Sequence, residues 1–135
     1  MKCINFLDTY KEISSRLKKL DMLAKSEEPI TIGLLSRVLS VPAWEIFEIM
    51  SKHNIKFITK KNLGIIMREA SGEICDIYRR ELEIGSPLVY TKEDISYIYD
   101  LEQREIEDAF RRLGIRETTE LFFPLIFKEL PPRAI

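Results

Sequence analysis

The sequence predicts an all-α protein built from two tandem, pseudo-symmetric helix-turn-helix repeats that share one core. Three observations support this prediction. Apolar residues recur at three- and four-residue steps, capping and turn residues separate the apolar stretches, and the chain resembles itself at an offset of 60 residues. We treat residues 1–135 as a single domain, with repeat one at 4–69 and repeat two at 70–130.

The first half of the chain predicts three helices. The first covers residues 4–25, where apolar side chains recur at helical spacing. Thr31 is suited to begin a short helix that ends at Leu39. A turn at Val41-Pro42 follows, and the third helix covers residues 43–53.

Three more helices are predicted in the second half. Thr59 is expected to cap a helix that extends to residue 83, with Ser71-Gly72 as a break or kink. Thr91 begins the next helix, and Asp94 three residues later is typical of a capping box. After a short turn, the last clear helix covers residues 102–113.

The segments outside these helices leave alternatives open. Pro124 argues against an uninterrupted helix through LFFPLIF (121–127), which is either a strand or a tail packed on the core. This apolar block either completes the core or forms an association surface. Short strands are expected after each helix pair, at Ile55–Ile58 and at Ile115–Thr119.

The self-similarity defines two motifs, residues 30–59 (the first motif) and residues 90–119 (the second motif). A helix-turn-helix needs apolar residues at fixed positions, a small residue in the first helix and a tolerant turn residue. Both motifs fill every apolar position. Both also carry serine at the small position, Ser36 and Ser96, and a residue that accepts turn geometry, Ser40 and Asp100.

The second motif carries the candidate DNA-binding residues on its second helix. Gln103 and Arg104 lie where such a helix meets base edges, and glutamine suits adenine as arginine suits guanine. Arg111 and Arg112 follow as candidate phosphate contacts. The alternative is a solvated charged helix with pairs four residues apart, Arg104–Asp108 and Asp108–Arg112, because acidic side chains at 107 and 108 would repel phosphate.

The first motif predicts a protein interface instead. The corresponding face of its second helix carries Trp44, Phe47 and Glu48, which suits burial against a protein better than contact with phosphate. Phe122 and Phe123 of the apolar C-terminal block are further candidates for partner binding. A protein partner or a second protomer is therefore expected here.

Composition limits the remaining functional classes. A net charge of −1 provides no general attraction for phosphate, and no apolar run approaches the roughly 18 residues of a membrane span. Cys3 and Cys75 show no metal-binding spacing, and His53 is the one histidine. We therefore expect no enzyme activity, no cofactor, no metal and no membrane partner, and a cytoplasmic location.

The first motif resembles a family of small prokaryotic helix-turn-helix proteins that are encoded beside nuclease toxins. The resemblance lies in Trp44-Glu45-Ile46 and His53-Asn54-Ile55, with a weaker echo at Arg104-Glu105-Ile106 and Leu113-Gly114-Ile115. It covers about 30 residues of each motif. The resemblance implies that this chain is an antitoxin-like or transcription-regulatory protein that binds DNA.

Two functional hypotheses follow. In the first, a small regulatory protein binds double-stranded DNA through the second motif, while the first motif holds a protein partner or a second protomer. In the second, the protein is an interaction module or adaptor on a helix-turn-helix scaffold and binds no DNA.

Overall fold

The computed structural model describes residues 3–134, and this part of the chain is all-α, as predicted. A two-residue antiparallel pairing accompanies the helices, in which Cys3 faces Ala134. The elements in chain order are β1 (Cys3–Ile4), α1 (Phe6–Lys25), α2 (Ile32–Leu39), α3 (Ala43–Lys52), α4 (Leu63–Glu69), α5 (Glu73–Ile84), α6 (Lys92–Tyr99), α7 (Gln103–Leu113), the 3-10 helix η1 (Glu120–Phe122), α8 (Phe123–Lys128) and β2 (Arg133–Ala134).

The predicted caps of the two short helices are confirmed. The Thr31 hydroxyl accepts a hydrogen bond from the backbone N–H of Leu34 at 3.1 Å, and α2 begins there. Thr91 and Asp94 form a complete capping box at the start of α6. Both short helices end at a residue in the left-handed region, Ser40 at φ 54° and Asp100 at φ 52°. Two helices joined by a tight turn therefore form at both motifs.

The stretch from Thr59 to residue 83 forms two helices, α4 and α5, and the break predicted at Ser71-Gly72 is confirmed. The chain breaks between α4 and α5, where Gly72 adopts φ 97°, a conformation that side chains with a Cβ rarely accept. The predicted cap at Thr59 is wrong. The Asn62 side chain instead accepts a hydrogen bond from the backbone N–H of Thr59 at 2.8 Å, and α4 begins after Asn62.

Two further expectations are corrected. The C-terminal apolar block is helical, because Pro124 lies in the first turn of α8, where its missing N–H removes no helical hydrogen bond. The strands expected at 55–58 and 115–119 reduce to single bridges, Ile30 with Ile58 and Tyr90 with Thr118. A longer ladder does not form, because Thr31 and Thr91, the residues after Ile30 and Tyr90, already cap α2 and α6.

Backbone contacts divide the chain into two compact units. We call Ser14–Arg79 the central unit, and the part up to Ile13 together with the part from Arg80 onwards the terminal unit. The most deeply buried side chains of the central unit include Leu35, Leu39, Ile46, Ile58 and Ile66, and those of the terminal unit include Ile95, Ile98, Ile106, Phe123, Ile126 and Phe127.

The two motifs share local contacts at equivalent positions. The Ser36 hydroxyl donates a hydrogen bond to the carbonyl oxygen of Val41 at 2.6 Å, and Ser96 makes the same bond to Leu101. In each motif the serine therefore provides a hydrogen-bond donor for a carbonyl oxygen just after the turn. These contacts were not predicted from the sequence, but they lie at positions that the offset of 60 residues aligns. The pseudo-symmetry, the shared core and the repeat limits 4–69 and 70–130 stay predictions.

Candidate nucleic-acid and partner interfaces

The candidate DNA-binding residues lie on the solvent side of α7. The opposite side of the helix is anchored in the core of the terminal unit by Ile106, Ala109 and Phe110. Because buried and exposed positions alternate at helical spacing, the remaining stripe faces solvent. All four predicted residues are exposed on this part of the helix surface: Gln103 and Arg104 near its start, and Arg111 and Arg112 near its end.

Acidic side chains of the same face engage two of these residues. The Gln103 amide donates a hydrogen bond to Glu107 at 3.2 Å, and Arg111 forms an ion pair with Asp108 at 3.1 Å. The predicted pairs four residues apart are wrong, because Asp108 pairs with Arg111 at a spacing of three. The ion pair between Asp108 and Arg111 is exposed and weak, so an incoming phosphate can compete with it.

Arg112 and Arg104 differ in their surroundings. Arg112 contacts the end of α8, donating from Nη2 to the carbonyl oxygen of Glu129 at 2.6 Å and from Nε to its carboxylate at 3.2 Å. Arg112 therefore also stabilises the fold. Arg104 forms no hydrogen bond or ion pair within residues 3–134, which makes it the most available cation of this face.

The outer face of α3 exposes two aromatic side chains in the central unit. Trp44 is 63% exposed and Phe47 is 60% exposed, whereas Ile46, Ile49 and Met50 of the same helix are buried. Residues three apart are neighbours on a helix surface, so the two rings form one apolar patch. Large exposed aromatic side chains of this kind are typical of protein interfaces.

The end of α3 is electrically neutralised. Lys52 Nζ lies 2.6 Å from a carboxylate oxygen of Glu69, and His53 contacts the other oxygen. Hydrogen bonds from Lys52 and then from His53 lower the pKa of Glu69 below its ordinary value. The carboxylate is therefore charged near neutral pH and occupies Lys52, a cation that phosphate would need.

The structure separates the two phenylalanines of the predicted partner surface. Phe122 is exposed, but Phe123 is 1% exposed and packs in the core of the terminal unit. The ring of Phe123 lies 5.1 Å from the ring of Tyr90 and 6.2 Å from that of Tyr10. The prediction for Phe123 is therefore wrong, because a side chain enclosed in this way cannot contact a partner.

A cavity in the terminal unit was not predicted from the sequence. It has a volume of about 460 Å³ and lies between Val89, the end of α7 and the C-terminal helices η1 and α8. No local pattern signals it, because its walls come from three separate parts of the chain. The lining residues are Val89, Leu113, Ile115, Glu117, Thr118, Thr119, Phe122, Leu125 and Ile126.

The buried thiol of Cys75 shows no sign of nucleophilic chemistry. Burial raises its pKa from 9.0 to about 11, with Arg79 acting in the opposite direction. The thiolate is the reactive form of cysteine, and it is scarce at neutral pH when the pKa lies this high. Cys75 therefore serves the core of the central unit.

None of the helices within residues 3–134 combines the length and the apolar character that crossing a membrane requires. Searches of protein-family models, of curated protein sequences and of solved structures all return no match for this chain.

Proposed function

We propose that this chain is a small regulatory protein of the antitoxin-like or transcription-regulator type. It binds duplex DNA through the second motif, at Gln103, Arg104, Arg111 and Arg112. The first motif holds a protein partner or a second protomer through Trp44 and Phe47, with Phe122 as a further contact. In this role the protein is not an enzyme, needs no cofactor and works in the cytoplasm.

The observation that carries the DNA-binding part is the exposure of Arg104 beside Gln103 at the start of α7. A helix-turn-helix presents the first turns of its second helix to the major groove. Arginine and glutamine are the side chains that recognise guanine and adenine there. Arg111 is exposed about two turns later. It is held by a single exposed ion pair, so it can move to a phosphate.

The DNA-binding part is tested by fluorescence anisotropy of a labelled random duplex, from low to physiological salt. We expect binding that weakens steeply with salt in the wild type. The double variant Arg104→Glu/Arg111→Glu should bind far more weakly. It should also lower the slope of log K against log salt by about 1, because each lost phosphate contact removes about 0.9 and Arg111 is the phosphate contact of the pair.

A charge-matched control separates a local interface from a general charge effect. Lys18 and Lys19 are exposed on α1, so Lys18→Glu/Lys19→Glu changes the net charge by the same amount. The control should retain most of the wild-type affinity. Equal losses in both variants would argue against a site on α7, and absence of wild-type binding at low salt would refute the DNA-binding part.

The partner-binding part can be tested by intrinsic fluorescence, because Trp44 is the one tryptophan of the sequence. If the first motif holds a second protomer, the Trp44 ring becomes buried as the protein concentration rises. Its emission maximum should then shift from a long wavelength in dilute solution to a shorter one. Phe47→Ser should abolish this shift, because it removes half of the patch. Leu121→Ser, at a residue 87% exposed outside the patch, should leave it unchanged.

The second candidate function is an interaction module without DNA binding. The acidic side chains of α7 favour it, because Glu107 and Asp108 already engage Gln103 and Arg111. Glu107 also forms an ion pair with Lys92, with 3.6 Å between Oε1 and Nζ. A concentration-dependent shift of Trp44 emission, together with no duplex binding at low salt, would select this candidate.

A further inference from the structure

The cavity of the terminal unit has the composition of a small-molecule site. We propose that it binds a small, mainly apolar molecule that carries one positive charge, with the Glu117 carboxylate as the counter-ion. The size of the cavity, its lining and the surroundings of Glu117 support this proposal independently of the DNA-binding hypothesis.

The size and the lining suit a compact apolar ligand. A volume of about 460 Å³ lies within the range of roughly 300–1,000 Å³ that is usual for ligand pockets. Aliphatic and aromatic side chains form most of the wall. Val89, Leu125 and Phe122 are 41%, 51% and 53% exposed, so the cavity opens to solvent and a ligand could cover apolar surface that now contacts water.

Glu117 determines the charge of the ligand. It is the one ionisable side chain among the lining residues. Within residues 3–134 it forms no ion pair and no hydrogen bond, whereas all three carboxylates of α7 are ion-paired. A cationic group therefore finds an unoccupied counter-ion, whereas an anionic group would be repelled from the same position.

A small molecule fits this cavity better than an extended peptide does. A peptide that adds as a strand needs unpaired backbone groups at the edge that it joins. At Thr118 both backbone groups are already bonded to Tyr90, with N–O distances of 2.7 and 2.9 Å. The Thr118 hydroxyl donates to the carbonyl oxygen of Thr119 at 3.0 Å. At this position the wall of the cavity therefore offers no unpaired backbone group to which a strand could add.

The position of the cavity suggests what the ligand would do. Leu113 is the last residue of α7 and contributes to the wall, so an occupied cavity would restrain the end of the helix that carries Arg111 and Arg112. Ligand-controlled DNA binding rests on the proposed function. Ligand binding itself does not.

The test is an NMR titration that follows the methyl groups of Val89, Leu113 and Leu125 without DNA. The probes are 4-phenylbutylamine, 4-phenylbutan-1-ol and 4-phenylbutyrate, which share one apolar body and differ in charge. We expect the amine to bind about two- to fivefold more tightly than the alcohol, as an exposed ion pair allows. The butyrate should bind most weakly.

Two variants locate the interaction. Glu117→Gln changes only an exposed charge and should make the amine and the alcohol bind equally. Leu125→Trp fills the cavity from its rim and should weaken all three probes. The proposal is overturned if no probe shifts these methyl groups, or if the amine keeps its advantage in Glu117→Gln. Tighter binding of acetyl-Leu-Lys-Leu-amide than of the amine would also overturn it, in favour of a protein segment.

Because no DNA is present, this titration can fail while the duplex titration succeeds, and the reverse also holds. The two proposals are therefore separable. Adding 4-phenylbutylamine to the anisotropy experiment then measures any coupling between the cavity and α7.

Discussion

Replacing Phe127 by alanine is expected to lower the free energy of unfolding by about 3–5 kcal/mol, the usual cost of removing a fully buried aromatic ring. Phe127 is 0% exposed. The centre of its ring lies 4.7 Å from that of Phe6, 4.8 Å from that of Tyr10 and 5.3 Å from that of Tyr99. Alanine would remove these aromatic contacts and leave a cavity among rigid rings.

Urea unfolding followed by circular dichroism measures this effect on the terminal unit. Leu121→Ala is the matched control, because Leu121 is 87% exposed on the neighbouring 3-10 helix and its loss should change stability by less than about 0.5 kcal/mol. Equal stabilities of the two variants would contradict the packing described for α8.

Replacing Arg79 by leucine is expected to lower the free energy of unfolding by about 1.5–3 kcal/mol, as expected for hydrogen bonds to a charged group. Arg79 Nη1 donates to the carbonyl oxygens of Met67 at 3.1 Å and Ala70 at 2.7 Å, and Nη2 contacts Asp76. The side chain therefore connects the end of α4 with α5 across the break at Gly72. Leucine would leave these carbonyl groups without their donor.

The control for Arg79 is Arg68→Leu. Arg68 is exposed on α4, and its side chain makes no hydrogen bond within residues 3–134, so the same change of charge should cost less than about 0.5 kcal/mol. Amide hydrogen exchange then shows where the loss occurs. We expect faster exchange at the end of α4 in Arg79→Leu, and unchanged exchange there would contradict the proposed role of Arg79.

Helices with local signals were predictable from the sequence. Thr31 and Thr91 mark the starts of α2 and α6, because a side-chain cap acts on backbone groups only three residues away. Asn62 was missed because its contribution depends on the conformation of the loop that precedes α4. Pro124 was misleading, because proline disrupts a helix interior but is accepted in a first turn.

The candidate interfaces were predictable to a similar extent. Helical spacing alone places Arg104 and Arg111 on one face of α7, and it places Trp44 beside Phe47 on α3. Spacing cannot reveal which partner each charge finds. Arg112 contacts Glu129 of another helix, a choice that depends on how α7 and α8 pack together.

The sequence by itself determined the helical class, the two helix pairs with their turns, and the residues on each helix face. These features depend on interactions between residues that are close along the chain, so capping chemistry and apolar spacing encode them directly. The tertiary structure alone decided that Phe123 is buried while Phe122 is exposed, that Glu117 has no ion-pair partner within residues 3–134, and that a cavity forms beside α7. Burial and cavities arise where distant segments pack together, and no local pattern in the sequence specifies that packing.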